Sequence, residues 1–215
     1  MPSLGLDYAT TEALVIQAFA LWPSADCGGS FPSISISSMG PLSCGDPEYN
    51  PGGPNSNAVV FRESDWSHDA AAIGVTTVSF DTDTGKILDA DMEVNVGGFL
   101  LSTEDIAYVV AHEAGHFFGI DHSADGGALM YESYLPFGNT APPALLPDDV
   151  ASICSAYPAS HGQAVCDFEP EAGLANDCGG DVEAGCSLAA PRHSDGAWLL
   201  AASLVVAGLA RARRR

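Results

Sequence analysis

Positive charge is what this 215-residue chain has least of. Residues 1–190 carry only Arg62 and Lys86 against 27 acidic side chains. Phosphate contacts need Lys and Arg, so the globular part is not a nucleic-acid binder. Such a surface favours solubility and repels anionic partners. No two of the six cysteines are spaced C-x-x-C, which argues against a cysteine zinc ribbon or a thioredoxin-like site. Their even number points to disulfides and an oxidising compartment. The pairing stays open, with Cys27–Cys44 the most local staple. Residues 1–25 show no basic start followed by an apolar run, so no secretory leader is readable there. No internal repeat is visible.

Apolar residues make up 47% of the chain and charged ones 16%, enough to build the core of one ordinary domain with tails. Leu14, Ala18 and Leu21, with Val15, Phe19 and Trp22 beside them, predict a helix over 9–22, capped by Thr10 or Thr11 and ended by Pro23. Residues 24–102 read as strands and loops. Residues 33–37 alternate strictly, 58–61 and 74–80 are strand-like, Asp81 to Gly85 is a turn, and 87–96 returns as a strand. Pro41, Pro47, Pro51 and Pro54, with Gly45, Gly52 and Gly53, mark a surface loop. Ser102 or Thr103, followed by Glu104 and Asp105, opens a helix over 103–119. Pro147 and two aspartates introduce another over 148–157.

The chemistry is concentrated in His112-Glu113-Ala-Gly-His116-Phe-Phe-Gly119-Ile-Asp121-His122. Residues i and i+4 share a helix face, so His112 and His116 can grip one ion. Glu113 stands next to that face, within reach of a bound water. Gly119 lets the helix end in a left-handed turn, and the returning chain offers His122 as a third nitrogen. Three protein ligands leave a fourth position for water, the arrangement of a catalytic zinc. The full pattern arises by chance on the order of once in 10⁵ chains of this length. His68, His161 and His193 have no ligand spacing and read as surface residues. Asp81, Asp83, Asp89 and Asp91 fit either a plain hairpin turn or a Ca2+ site, although they depart from the EF-hand pattern.

The histidine run resembles the metzincin zinc signature, and more narrowly that of the matrixins, the matrix-metalloprotease-like branch. Ser123 follows the third histidine as it commonly does there, and Ala128-Leu-Met-Tyr-Glu-Ser-Tyr134 resembles the matrixin Met-turn. The likeness covers roughly residues 9–158, including Ala18-Phe-Ala-Leu-Trp22 in the first helix and 148–157 as the last. It implies a metzincin-like α+β domain over 1–160. A twisted, mostly parallel sheet with an antiparallel edge strand would pack on the zinc helix, with a small C-terminal subdomain. It also implies one catalytic Zn2+ on His112, His116 and His122, with Glu113 as the catalytic base. Met130 would form a hydrophobic floor under the metal, and Tyr134 would wall the pocket for the side chain after the scissile bond. Residues 87–96 would be the edge strand to which an extended substrate adds. Three departures stand out. Glu132 replaces a common Pro, only His68 lies upstream for a second zinc, and only eight residues precede the first helix where a strand is usual.

Residues 161–185 read as a Gly/Ala/acid-rich linker and 186–215 as a tail. Uncharged residues 197–210 and the arginines from Arg211 to Arg215 suggest a short membrane anchor with its positive end cytoplasmic. With Gly185-Cys186 the tail resembles sorting tails of the MYXO-CTERM type, which implies processing near Cys186 and display on a bacterial surface, or secretion. Export predicts a start upstream of Met1, with a leader and a prosegment. The expected function is a monomeric endopeptidase acting on protein or peptide substrates and touching membrane only through the unprocessed tail. The competing reading is a zinc-binding surface adhesion or recognition protein that cleaves nothing.

Overall fold

The computed structural model describes residues 1, 4–43, 45–46, 49–133, 142–161, 173–175 and 204–207. Helix α1 spans Tyr8–Ala20. Its cap is Asp7, whose Oδ1 accepts from the Thr10 N–H at 2.8 Å, in place of the expected Thr10 or Thr11. Thr11 is itself drawn into the core side and donates to the Asp7 carbonyl. Leu14, Val15, Ala18 and Phe19 form the buried stripe, and a 3-10 turn at Trp22–Ser24 carries the chain off the helix.

Four strands follow the chain through the first hundred residues: β1 (Ser35–Ser38), β2 (Val59–Arg62), β3 (Gly74–Phe80) and β4 (Ile87–Asn95). The main sheet has the order β2-β4-β3, with β2 parallel and β3 antiparallel to β4. Among the described residues it is mixed, with one parallel and one antiparallel pairing, and the antiparallel strand lies at an edge. Residues 87–95 form its central strand among those described, which corrects the expected edge position; β2 and β3 are the outer strands, and β3 is the one bonded to Glu113. The reason lies in burial. Ala90, Met92 and Val94 fill the core on one face of β4, while Asp89, Asp91 and Asn95 are buried on the other. Alternating carboxylates look like a solvent face in sequence but are covered here.

Between β3 and β4, Asp81 closes the turn by accepting from the Asp83 and Thr84 N–H groups and the Thr84 hydroxyl, and Gly85 takes φ 73°. Four residues of the tail, Leu204–Ala207, form β5, paired antiparallel with β1. The rest of the tail and most of the linker lie outside the described residues. Among those described, no helix is long and apolar enough to cross a membrane.

Helix α2 (Thr103–Phe117) packs across α1 and the sheet. Ser102 and Asp105 cap it reciprocally: the Ser102 hydroxyl accepts from the Asp105 N–H, and Asp105 accepts from the Ser102 N–H. Phe19 meets Phe117 and Phe118 edge-on, with centroids 5.1 and 5.9 Å apart. The Trp22 indole donates to the Ala111 carbonyl at 3.0 Å. Gly115 is what allows this approach: a Cβ there would lie 2.2 Å from Met130 Sδ and 2.6 Å from Trp22. Helix α3 (Pro147–Ala156) closes the domain, with Ile153 fully buried. Cys154 on α3 is bonded to Cys27 after α1, not Cys27 to the nearby Cys44. The two Cα atoms are 5.5 Å apart although 127 positions separate them, so the α1–α3 packing, not sequence proximity, selects the partner.

Candidate metal centre and cleft

The three histidines converge. Their ligand atoms all lie within 4.8 Å of one another, and His116 Nε2 is 3.1 Å from His122 Nε2. Two nitrogens on a tetrahedral zinc at ordinary bond lengths stand about 3.3 Å apart, so the donor set suits one such ion. No other group of three or more His, Cys, Asp or Glu side chains converges in this way among the described residues.

Each ring is oriented by its own anchor. His112 Nδ1 bonds the Leu129 carbonyl at 2.7 Å, and His116 Nδ1 bonds the Ile120 carbonyl at 2.8 Å. A carbonyl can only accept, so each Nδ1 carries the proton and each Nε2 is left with its lone pair. Burial lowers the His112 pKa to about 4 and also lowers that of His116, which keeps both rings in the neutral, ligating form. Gly119, at φ 77°, reverses the chain after α2. The Gly119 N–H bonds the His116 carbonyl and the Ile120 N–H bonds the Gly115 carbonyl. This returns Ile120 to steady His116 and brings His122 round. His122 is then fixed from behind, because the next residue, Ser123, donates its N–H to the Met130 carbonyl at 2.7 Å.

Met130 is buried, with its sulfur against Gly115. Asp149 holds this segment in place: its carboxylate accepts from the N–H groups of Leu129, Met130 and Leu146 at 2.8–3.0 Å. In sequence Asp149 reads only as a helix-start acid. That it turns inward is decided by the fold of 128–131, which local pattern does not report. Tyr134 lies outside the described residues.

Glu113 is buried beside the triad and faces β3. The Thr76 hydroxyl donates to Glu113 Oε2 at 2.7 Å, and Gly74 is bare where a Cβ would come within 2.5 Å of Oε1. Burial raises the Glu113 pKa to about 7, partly offset by the Thr76 bond. Gly74 and Thr76 were legible only as strand residues; which helix covers the strand is a tertiary fact. The lone His68 is not a free surface group. Its Nε2 lies 2.7 Å from Glu93 Oε1, and Arg62 binds the same carboxylate. After the burial that opposes it, the pair holds Glu93 below its usual pKa.

The histidines and Glu113 open into a cleft lined by β3 on one side and by residues of α2, α3 and Tyr131–Ser133 elsewhere. An edge strand beside such a triad can take up an extended chain, neutral imidazoles can hold a metal ion, and a buried carboxyl with a pKa of about 7 can exchange a proton with a neighbouring water.

A family model described as Matrixin matches residues 48–158, just over half of the chain. The chain is also similar to a protein of Invertebrate iridescent virus 3 described as "Probable matrix metalloproteinase 095L", with 36% identity over 66 residues. That match covers 31% of this chain and 17% of the viral protein.

Proposed function

Since this chain belongs to the matrixin family, a family of metallopeptidases, we propose that it is a zinc-dependent endopeptidase cutting peptide bonds in extracellular proteins. The observation that carries the reading is the triad: three imidazole nitrogens aimed at one point, with two of the rings locked by backbone carbonyls. His112, His116 and His122 would hold the ion. A zinc bound there supplies a Lewis acid and a water whose pKa falls to about 7.

The remaining work belongs to the chain. β3 holds the substrate backbone extended by edge pairing, the role first expected of residues 87–96. Glu113, desolvated and held by Thr76, accepts the proton of the attacking water and delivers it to the leaving amine. Met130 closes the base of the site, and Asp149 keeps the Leu129 carbonyl under His112. The Cys27–Cys154 bond supports an exported protein, since such bonds persist in oxidising compartments.

Glu113→Ala is the direct test. The variant should bind one zinc per chain by elemental analysis yet lose peptidase activity by about 10³-fold or more. Undiminished turnover would remove Glu113 from the mechanism. A wild-type chain that binds zinc and cuts no denatured protein would be the recognition protein instead.

A further inference from the structure

We infer that the cleft selects polypeptide segments carrying lysine or arginine close to the scissile bond, with Glu132 receiving one such side chain; this rests on the peptidase reading and names its substrate class. Among the described residues the cleft lining holds three carboxylates, Glu113, Asp121 and Glu132, and neither Lys nor Arg. Two of the three are committed. Glu113 is buried against Thr76, and Asp121 accepts the His122 N–H at 2.8 Å. Glu132 is exposed, as Asp121 is, but it stands immediately after the segment that anchors His112 and lies beyond the histidine run in sequence. The α3 side chains lining the same cleft are small, Ala151, Ser152, Ser155 and Ala156, and leave room for a long cationic side chain.

The surroundings reinforce the choice. Residues 1–160 hold 21 acids against Arg62 and Lys86. Arg62 is bound by Glu93 and Asp46. Lys86 stands between two lining residues, but in the turn that also holds Asp81 and Asp83. A field of one sign focused into a cleft raises the local concentration of the opposite charge. One exposed carboxylate gives only a few-fold preference, and the summed field gives the rest.

The test uses the full chain loaded with zinc and three fluorogenic peptides sharing one uncharged core, flanked by Lys, Gln or Glu. The expected order of kcat/KM is Lys, Gln, Glu, with a ratio of about tenfold between the extremes at low salt. That ratio should shrink between about 0.05 M and about 0.5 M NaCl. Glu132→Lys should cut it by about fivefold and Glu132→Gln by less. Equal rates for the three peptides, or a ratio untouched by both substitutions, overturns the inference. If none of the peptides is cut, the peptidase reading fails. Fluorescence anisotropy of the same peptides on the Glu113→Ala chain then decides the charge preference alone, and equal affinities overturn that too.

Discussion

At the scale of single residues, the acid beside the metal centre is controlled from the neighbouring strand. Glu113 meets two residues of β3, one that bonds it and one that makes room for it. Removing the Thr76 hydroxyl leaves a buried carboxyl without its donor and free to swing. Thr76→Val is nearly isosteric, so the fold should survive. We expect kcat to fall by about tenfold with KM little changed and zinc content intact, the pattern of a lost orienting bond of about 1–1.5 kcal/mol. A raised KM with unchanged kcat in steady-state kinetics would assign Thr76 to substrate binding instead.

At the scale of elements, β4 carries an unusual load. Asp89 and Asp91 share one face of a central strand and are bonded to each other, with Asp91 also accepting the Ala58 N–H. Burial, and then the charge of Asp89, push Asp91 up to about 8. A carboxyl whose folded pKa is raised contributes stability that is complete below its ordinary value near 4 and lost as pH climbs through the folded value. The Asp91 contribution should therefore fall away between about pH 4 and about pH 8, giving a downward slope in the wild type that the variant lacks. Asp91→Asn keeps an acceptor for Ala58 and a donor for Asp89 while removing the ionisation. It should flatten that slope and raise stability at pH 8 by on the order of 1–2 kcal/mol, measured by urea unfolding.

The same strand shows what could be read in advance and what could not. Helix α2 and the convergence of the three histidines were legible because the i, i+4 spacing, the Ser102 cap and Gly119 are local signals. The central position of 87–95 was not, because Asp89 and Asp91 imitate an exposed face and only the packing around them shows the cover. The Asp7 cap was missed for a related reason: two threonines three and four positions on offered equally good local chemistry, but Thr10 gives its N–H to Asp7 and Thr11 turns its hydroxyl back to the Asp7 carbonyl.

At the scale of the whole molecule, one covalent bond links the first helix region to the last. Closing a loop of 127 positions removes unfolded-state entropy worth about 5 kcal/mol in the chain-entropy account, with measured effects more often 2–5 kcal/mol. Cys27→Ser should lower stability by about 2–5 kcal/mol, and reductant should destabilise the wild type but leave the variant unmoved. Equal denaturation midpoints with and without reductant in the wild type would show that the bond does not form. The core explains why the partners meet. Phe19, Trp22, Phe118 and Tyr157 meet edge-on or tilted in a chain of rings from α1 to the end of α3, and the Tyr157 hydroxyl donates to the Phe118 carbonyl at 2.9 Å.

Gly119 has a final implication. The left-handed step it takes gathers all three nitrogen donors from eleven consecutive residues, so that the capture of an ion is written into one short cassette. Glu113 lies inside the cassette but depends on a partner 37 positions upstream. The two traits therefore rest on different segments of the chain. A descendant that remodelled the strand and kept the loop would still collect its metal and digest nothing, so metal content alone can never certify an active member of this lineage.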